Sequence, residues 1–118
     1  MSRRDAAWLA DILTAIDAAD GYLIRGSLDD GLVYDACRVR LIEIGEAVKH
    51  LDSDLLDQAP DIRWRAIARM RDQLTHHYFD TDHAIVTQAM TEELPRLRSA
   101  VIRMIGQEGG APDEDAPA

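Results

Sequence analysis

Residues 29–51 read Asp29-Asp30-Gly31-Leu32-Val33-Tyr34-Asp35-Ala36-Cys37-Arg38-Val39-Arg40-Leu41-Ile42-Glu43-Ile44-Gly45-Glu46-Ala47-Val48-Lys49-His50-Leu51, and the spacing of their apolar side chains decides the fold. Tyr34, Cys37, Leu41, Ile44, Val48 and Leu51 recur at alternating steps of three and four. Such steps lay the six along one stripe of a long helix and leave the charges on its other face. The stripe needs other helices to cover it. Gly45 sits among these helix formers, where glycine costs about 1 kcal/mol of helix propensity but lets a neighbouring helix approach closely.

The flanking segments supply the partners. From Asp5 to about Arg25, Trp8, Leu9, Ile12, Ile16, Ala19 and Leu23 fall mostly three and four apart, and Gly26 with Ser27 ends that helix. Ser53 is expected to cap a short helical turn, with Asp54 in the first turn where the helix dipole favours an acid, and Pro60 stops it. Asp61 offers a cap for a third long helix with Ile67, Met70 and Leu74 as core positions. A final helix begins near Asp80-Thr81-Asp82 and carries Val86, Met90, Leu94, Leu97, Val101 and Met104 to about Ile105. Pro95 inside it predicts a kink, because it removes a backbone donor and crowds the preceding turn. No segment alternates with period two for long enough to make a strand. The pattern predicts an all-α, up-and-down bundle of four main helices plus a short turn over residues 1–105, followed by a disordered acidic tail at 106–118.

A chain of 118 residues fits one domain. It has no apolar run of membrane-spanning length, and its Met-Ser-Arg-Arg-Asp start leads into a charged amphipathic segment, so a cytoplasmic protein without membrane contact is expected. The single Cys37 excludes an internal disulfide, fits a reducing compartment and reads as a small core residue. A formal charge of −9 argues against general coating of nucleic acid, and no DNA partner is expected. Glu108, Asp113, Glu114 and Asp115 contribute −4 of it, leaving −5 for residues 1–107.

Against that acidity, Arg63, Arg65, Arg69 and Arg71 form a positive island able to hold a phosphate or a short piece of RNA, and His76, His77 and Tyr78 follow. On a regular helix Arg71 and Tyr78 lie within about 20° of each other, whereas His76 lies about 140° round from Arg71. Arg71 and His76 therefore share a site only if the helix loosens between Thr75 and Tyr78, or if a second copy of the chain completes a cleft. Asp72 and His76, four apart, are placed to touch, and a carboxylate beside an imidazole suits a proton-transferring histidine. An arginine for phosphate charge and a histidine for proton transfer are what metal-independent RNA cleavage by the 2′-hydroxyl requires.

At this point the residues resemble a known family. Arg71, four residues, His76, one residue and Tyr78 are similar to the signature of the HEPN-domain ribonucleases of the HepT-like toxin group, from type II/VII toxin–antitoxin systems. Ile42-Glu43-Ile44-Gly45-Glu46-Ala47-Val48, Pro60-Asp61-Ile62-Arg63-Trp64, Tyr78-Phe79-Asp80 and Thr91-Glu92-Glu93-Leu94-Pro95 also resemble that family, so the likeness covers about residues 5–105. It implies a HEPN-like homodimer with the motif at or near the subunit interface, an RNA substrate, no cofactor, and a cognate nucleotidyltransferase antitoxin. Arg71 and His76 would be the catalytic pair, Asp72 and Thr75 their supports, and Tyr78 the residue that the antitoxin modifies with AMP. Arg63, Arg65 and Arg69 would guide RNA or phosphate. A bulky anionic group on Tyr78 would compete for Arg71 and obstruct RNA.

Plainer readings stand beside these. Tyr78 also suits a helix-end anchor, and Trp8 and Trp64 suit core or interface aromatics better than base-stacking platforms. His50 and His83 read as solvated helix-end histidines, and Arg63, Arg65 and Arg69 as solvating charges. His76, His77, Asp80, Asp82 and His83 form no recognisable metal-ligand spacing, so no metal site is expected. The alternative function is a non-catalytic helical partner that docks a nucleotidyltransferase.

Overall fold

The computed structural model describes the backbone of residues 1–76 and 79–115 and the side chains of residues 1–76 and 82–107. Its order is α1 (Arg3–Arg25), α2 (Gly31–Lys49), the single turn α3 (Ser53–Leu56), α4 (Trp64–Thr75), α5 (Phe79–Gln88), a π-helical stretch (Ala89–Glu93) and α6 (Leu94–Asp115). No strand occurs among the described residues. Because α5, the π stretch and α6 follow without a break, the expected four long helices and one short turn are all present. The helical bounds of α6 reach into the stretch expected as a tail, of which 116–118 lie outside the described residues.

α2 is the centre of the bundle, packed against α1 on one side and α4 on the other, while α6 closes on α1. Its stripe is buried as the spacing predicts: Cys37, Leu41 and Ile44 are fully buried and Tyr34, Val48 and Leu51 nearly so. They meet Leu9, Ile12, Ile16 and Ala19 of α1, Ile67, Met70 and Leu74 of α4, and Val86, Leu94, Leu97, Val101 and Met104 of the last helices in one core. Burying one such leucine or isoleucine contributes about 1.5–3 kcal/mol before chain entropy is counted. Trp8 and Leu23, expected in the same stripe as Leu9, are only partly buried and pack on the core's edge.

The helix starts differ from those expected. Asp52, not Ser53, caps α3, and it does so without a side-chain bond. Its backbone N–H instead donates to the buried carboxylate of Asp5 at 3.2 Å, which ties α3 to the start of α1. Asp61 does not cap α4. Arg63 holds that position, and the Trp64 indole N–H, donating to Ala59 O at 3.0 Å, pins the helix start to the loop before it. Trp64 is a core residue at 8 % exposure. Where a kink at Pro95 was expected, the chain widens into the π stretch, and Leu94 N–H reaches back five residues to Ala89 O. A proline ring collides with the carbonyl four residues before it, here that of Thr91, and a wider turn relieves that collision.

Candidate functional site

α2 and α4 touch most closely at Gly45. A Cβ placed there would lie 2.5 Å from Arg71 Cβ and 3.0 Å from Ile67 O, so hydrogen is the only side chain that this crossing admits. The absence of a side chain at Gly45 brings the next residue of α2, Glu46, beside Arg71. Glu46 Oε2 lies 3.1 Å from Arg71 Nε. Both atoms are shielded from solvent, yet the N–H does not point along the contact, so the two form an ion pair and not an aligned hydrogen bond.

The guanidinium has a second carboxylate neighbour. Arg71 Nη1 donates to Asp72 Oδ1 at 3.0 Å, and Lys49 Nζ of α2 approaches the same oxygen at 3.6 Å. The Arg71 hydrogen bond, with the Lys49 charge adding to it, holds the Asp72 carboxyl below its ordinary value. Behind Glu46, His50 Nε2 lies 3.2 Å from Oε1, and the His50 ring stacks on Trp8 with centroids 4.5 Å apart. His50 is thus half-buried and partnered, not simply solvated. Arg71 Nη2 has no protein partner among the described residues, and 35 % of the side chain is exposed. The two donors of that nitrogen remain for an outside acceptor. Arg71 also lines a cavity of about 390 Å³ with Trp8, Asp11, Ile42, Glu43 and Glu46.

His76 is the C-cap of α4, exposed, with its N–H closing back on Gln73 O at 3.3 Å. Regular helix ends at Thr75, but His76 keeps right-handed helical dihedrals (φ −91°, ψ −1°), so the separation of about 140° from Arg71 on a straight helix still approximately applies to it. Thr75 Oγ1 donates to Asp72 O at 2.9 Å and braces this last turn. The expected Asp72–His76 pair is not formed among the described contacts; Arg71 and Lys49 offer the carboxylate full positive charges instead. No Arg71–His76 contact is present among the described residues. His77 and Tyr78 lie outside them.

The other arginines do not join Arg71. Arg63, Arg65 and Arg69 line a separate cavity of about 690 Å³ with Asp57, Pro60 and Trp64, and Arg63 Nη1 pairs with Glu93 at 3.5 Å. On α4, Arg69 is two residues from Arg71 and so about 160° away. The positive island of the sequence is split between two faces. No group of three or more metal-ligating side chains occurs among the described residues, and none of the helices searched is long and apolar enough to cross a membrane.

Reading the sequence alone overlooked Glu46, Lys49 and His50. Glu46 and His50 are four apart on the polar face of α2, a spacing that marks them as partners, but nothing local says that the pair faces Arg71.

The described residues thus form an all-helical bundle, with Arg71 braced where α2 and α4 cross and His76 on the turn that ends α4. Residues 12–104 match the family described as Ribonuclease HepT-like, and the chain belongs to it. Similar proteins include "Probable ribonuclease HepT" of Thermococcus cleftensis, 33 % identical over 102 residues, spanning 83 % of this chain and 93 % of that one. "Putative RNase MJ0127" of Methanocaldococcus jannaschii is 34 % identical over 100 residues, spanning 80 % and 83 %. No solved structure matches the chain.

Proposed function

We propose that the chain is the toxin of a toxin–antitoxin pair, a homodimeric, metal-independent endoribonuclease whose Arg71 and His76 cut RNA and whose Tyr78 takes AMP from a nucleotidyltransferase antitoxin. The observation that carries this reading is the braced Arg71 guanidinium. Arg71 lines a cavity, its Nη2 has no partner among the described residues, and it lies five residues before the histidine that caps the same helix. Membership of a ribonuclease family supports the substrate class.

In this reading His76 takes the proton of a ribose 2′-hydroxyl, and the 2′-oxygen attacks the adjacent phosphorus. Arg71 Nη2 donates to the phosphoryl oxygens, where negative charge grows. The P–O5′ bond breaks and the 5′-oxygen takes a proton from solvent, giving a 2′,3′-cyclic phosphate and a 5′-hydroxyl. Two protomers meeting along α4 bring an Arg71 and a His76 from different copies to one cleft. Silencing follows when the Tyr78 hydroxyl attacks the α-phosphorus of ATP, pyrophosphate leaves and the phenolic proton goes to solvent. The added phosphate then occupies Arg71.

The test is RNA cleavage in the presence of a chelator, together with intact mass, for the chain expressed alone and with its neighbouring nucleotidyltransferase. Cleavage by the lone chain should disappear in Arg71→Ala and in His76→Ala. Co-expression should add the mass of AMP in the wild type and not in Tyr78→Phe. Cleavage that survives both alanine changes removes the catalytic reading. A folded chain that gains AMP but cuts nothing is the helical binding partner instead.

A further inference from the structure

Away from Arg71, the other end of α2 reaches both sides of the turn that holds His76. Arg38 Nη2 donates to the backbone carbonyl of Leu74 in the last turn of α4. The same guanidinium, through Nε, lies 3.7 Å from Asp82 Oδ2 in the first turns of α5, an ion pair too long to count as a hydrogen bond. The two side chains are only 15 % and 5 % exposed, so the pair is largely screened from water. One turn earlier on α2, Tyr34 stacks on His83 with centroids 5.3 Å apart and rings within 7° of parallel. Burial, followed by the Asp82 charge, pushes the Tyr34 hydroxyl above its ordinary value, so this tyrosine and Asp82 share one enclosed environment.

Helix electrostatics explains the arrangement. The carboxyl end of α4 carries partial negative charge and unsatisfied carbonyls, which a cation relieves, and the amino end of α5 carries partial positive charge, which a carboxylate relieves. Arg38 and Asp82 meet both needs and neutralise each other between the two ends. Asp82 Oδ1 is buried without a hydrogen-bond partner among the described residues, so Arg38 is the strong countercharge of that carboxylate. Thr75 and His76 close their turn locally, through Asp72 O and Gln73 O, which leaves Leu74 O for Arg38.

We infer that Arg38 and Asp82 are positioning residues for His76: by joining Leu74 O in the last turn of α4 to the start of α5, they fix where the end of α4 holds the imidazole. The inference rests on the reading of His76 as the base, and it adds a reason why an exposed histidine at a helix end keeps a defined position. Arg38 does not touch RNA in this account.

The test compares the full-length wild type with Arg38→Gln, Arg38→Lys, Asp82→Asn and His76→Gln, using a labelled single-stranded RNA of mixed sequence as probe. In Arg38→Gln and Asp82→Asn, kcat should fall about 10- to 100-fold with KM unchanged, the scale of a catalytic group displaced by about 1 Å. Arg38→Lys, which keeps the charge opposite Asp82, should recover part of the rate. The His76 ring resonance, assigned by its loss in His76→Gln, is followed by NMR in the same samples. It should move in Arg38→Gln and Asp82→Asn, while the His50 resonance at the far end of α2 stays in place. Folded variants with wild-type kcat and an unmoved His76 resonance overturn the inference. If wild type and His76→Gln cleave alike, the catalytic reading fails by itself, and the NMR comparison alone decides whether the pair positions the ring. Should Arg38→Gln not fold, the isosteric Asp82→Asn decides on the same readouts.

Discussion

Replacing Gly45 by alanine tests the α2–α4 crossing and the site built on it together. The new methyl would lie 2.5 Å from Arg71 Cβ and 3.0 Å from Ile67 O. Carbon atoms in contact normally sit about 3.5–4.0 Å apart, so the shortfall is about 1–1.5 Å. Neither obstacle is the loose end of a side chain, since Arg71 Cβ and the Ile67 carbonyl move only with the α4 backbone. The helices must therefore part, and such overpacking costs about 1–3 kcal/mol. Alanine offsets about 1 kcal/mol of that through its better helix propensity. Gly45→Ala should thus lose about 0–2 kcal/mol in urea unfolding, a modest effect. Its effect on the site is larger. A retreat of α4 by about 1 Å withdraws Arg71 from Glu46, at 3.1 Å in the wild type, and a displacement of that size can cost about 100-fold in rate. The assay is RNA cleavage well below the unfolding midpoint, run beside the denaturation curve. A variant about 1 kcal/mol more stable than wild type, the propensity gain alone, would refute the close crossing. Unchanged cleavage in a protein that does lose stability would refute the dependence of the reaction on where Arg71 sits.

Two further outcomes follow from the same geometry. The Asp72 carboxyl is held below its ordinary value by Arg71 first and Lys49 second, so it contributes stability at neutral pH that is lost as pH falls below the usual carboxylate value towards its lowered folded one. Carboxyl NMR should show this lowered titration in the wild type and a less lowered one in Arg71→Gln, where Lys49 remains; equal titrations would dissolve the pair. Trp64→Phe removes the indole donor to Ala59 O and part of a buried ring, so urea unfolding should shift by about 2 kcal/mol, roughly half from the hydrogen bond and half from lost apolar area. Cleavage below the midpoint should not change, and a rate that falls further than stability would make Trp64 a base-stacking residue after all.

The long-range packing of this chain was legible because it repeats locally. The three-and-four steps of α2 name the residues that end up buried, and a glycine inside a strong helix former's stripe marks where a second helix comes close. The caps were less legible, since Ser53 and Asp61 are good capping residues in isolation, yet the chain satisfies those ends with the Asp5 carboxylate and the Trp64 indole, the one from 47 residues away and the other from inside the helix it starts. The proline was legible as a disturbance, but its relief by a wider turn depends on which carbonyls are free upstream. Arg71 and His76, five apart as is common on helices, stand out in the sequence only through the family signature that they complete with Tyr78. Glu46, Arg38 and Asp82 do not, for each is a common charge on an amphipathic segment and gains its meaning only from the helix it faces.

That contrast bears on how an acidic chain can handle RNA. Four arginines within nine positions suggest a binding surface, but on a helix they diverge, and Arg71 is enclosed by carboxylates. A cation so surrounded is a weak general attractor of polyanions, because Glu46 and Asp72 already neutralise much of its field. The same carboxylates hold the guanidinium through Nε and Nη1 and leave Nη2 without a partner among the described residues, which in the proposed mechanism favours one phosphoryl group in one orientation over phosphate in general. In the proposed mechanism, an arginine held this way contributes little to holding RNA and much to recognising the geometry of a reacting phosphate. Removing one carboxylate therefore separates the two effects: Glu46→Gln should bind RNA at least as tightly as wild type, since a negative charge is gone, while cutting it more slowly, since the brace is gone.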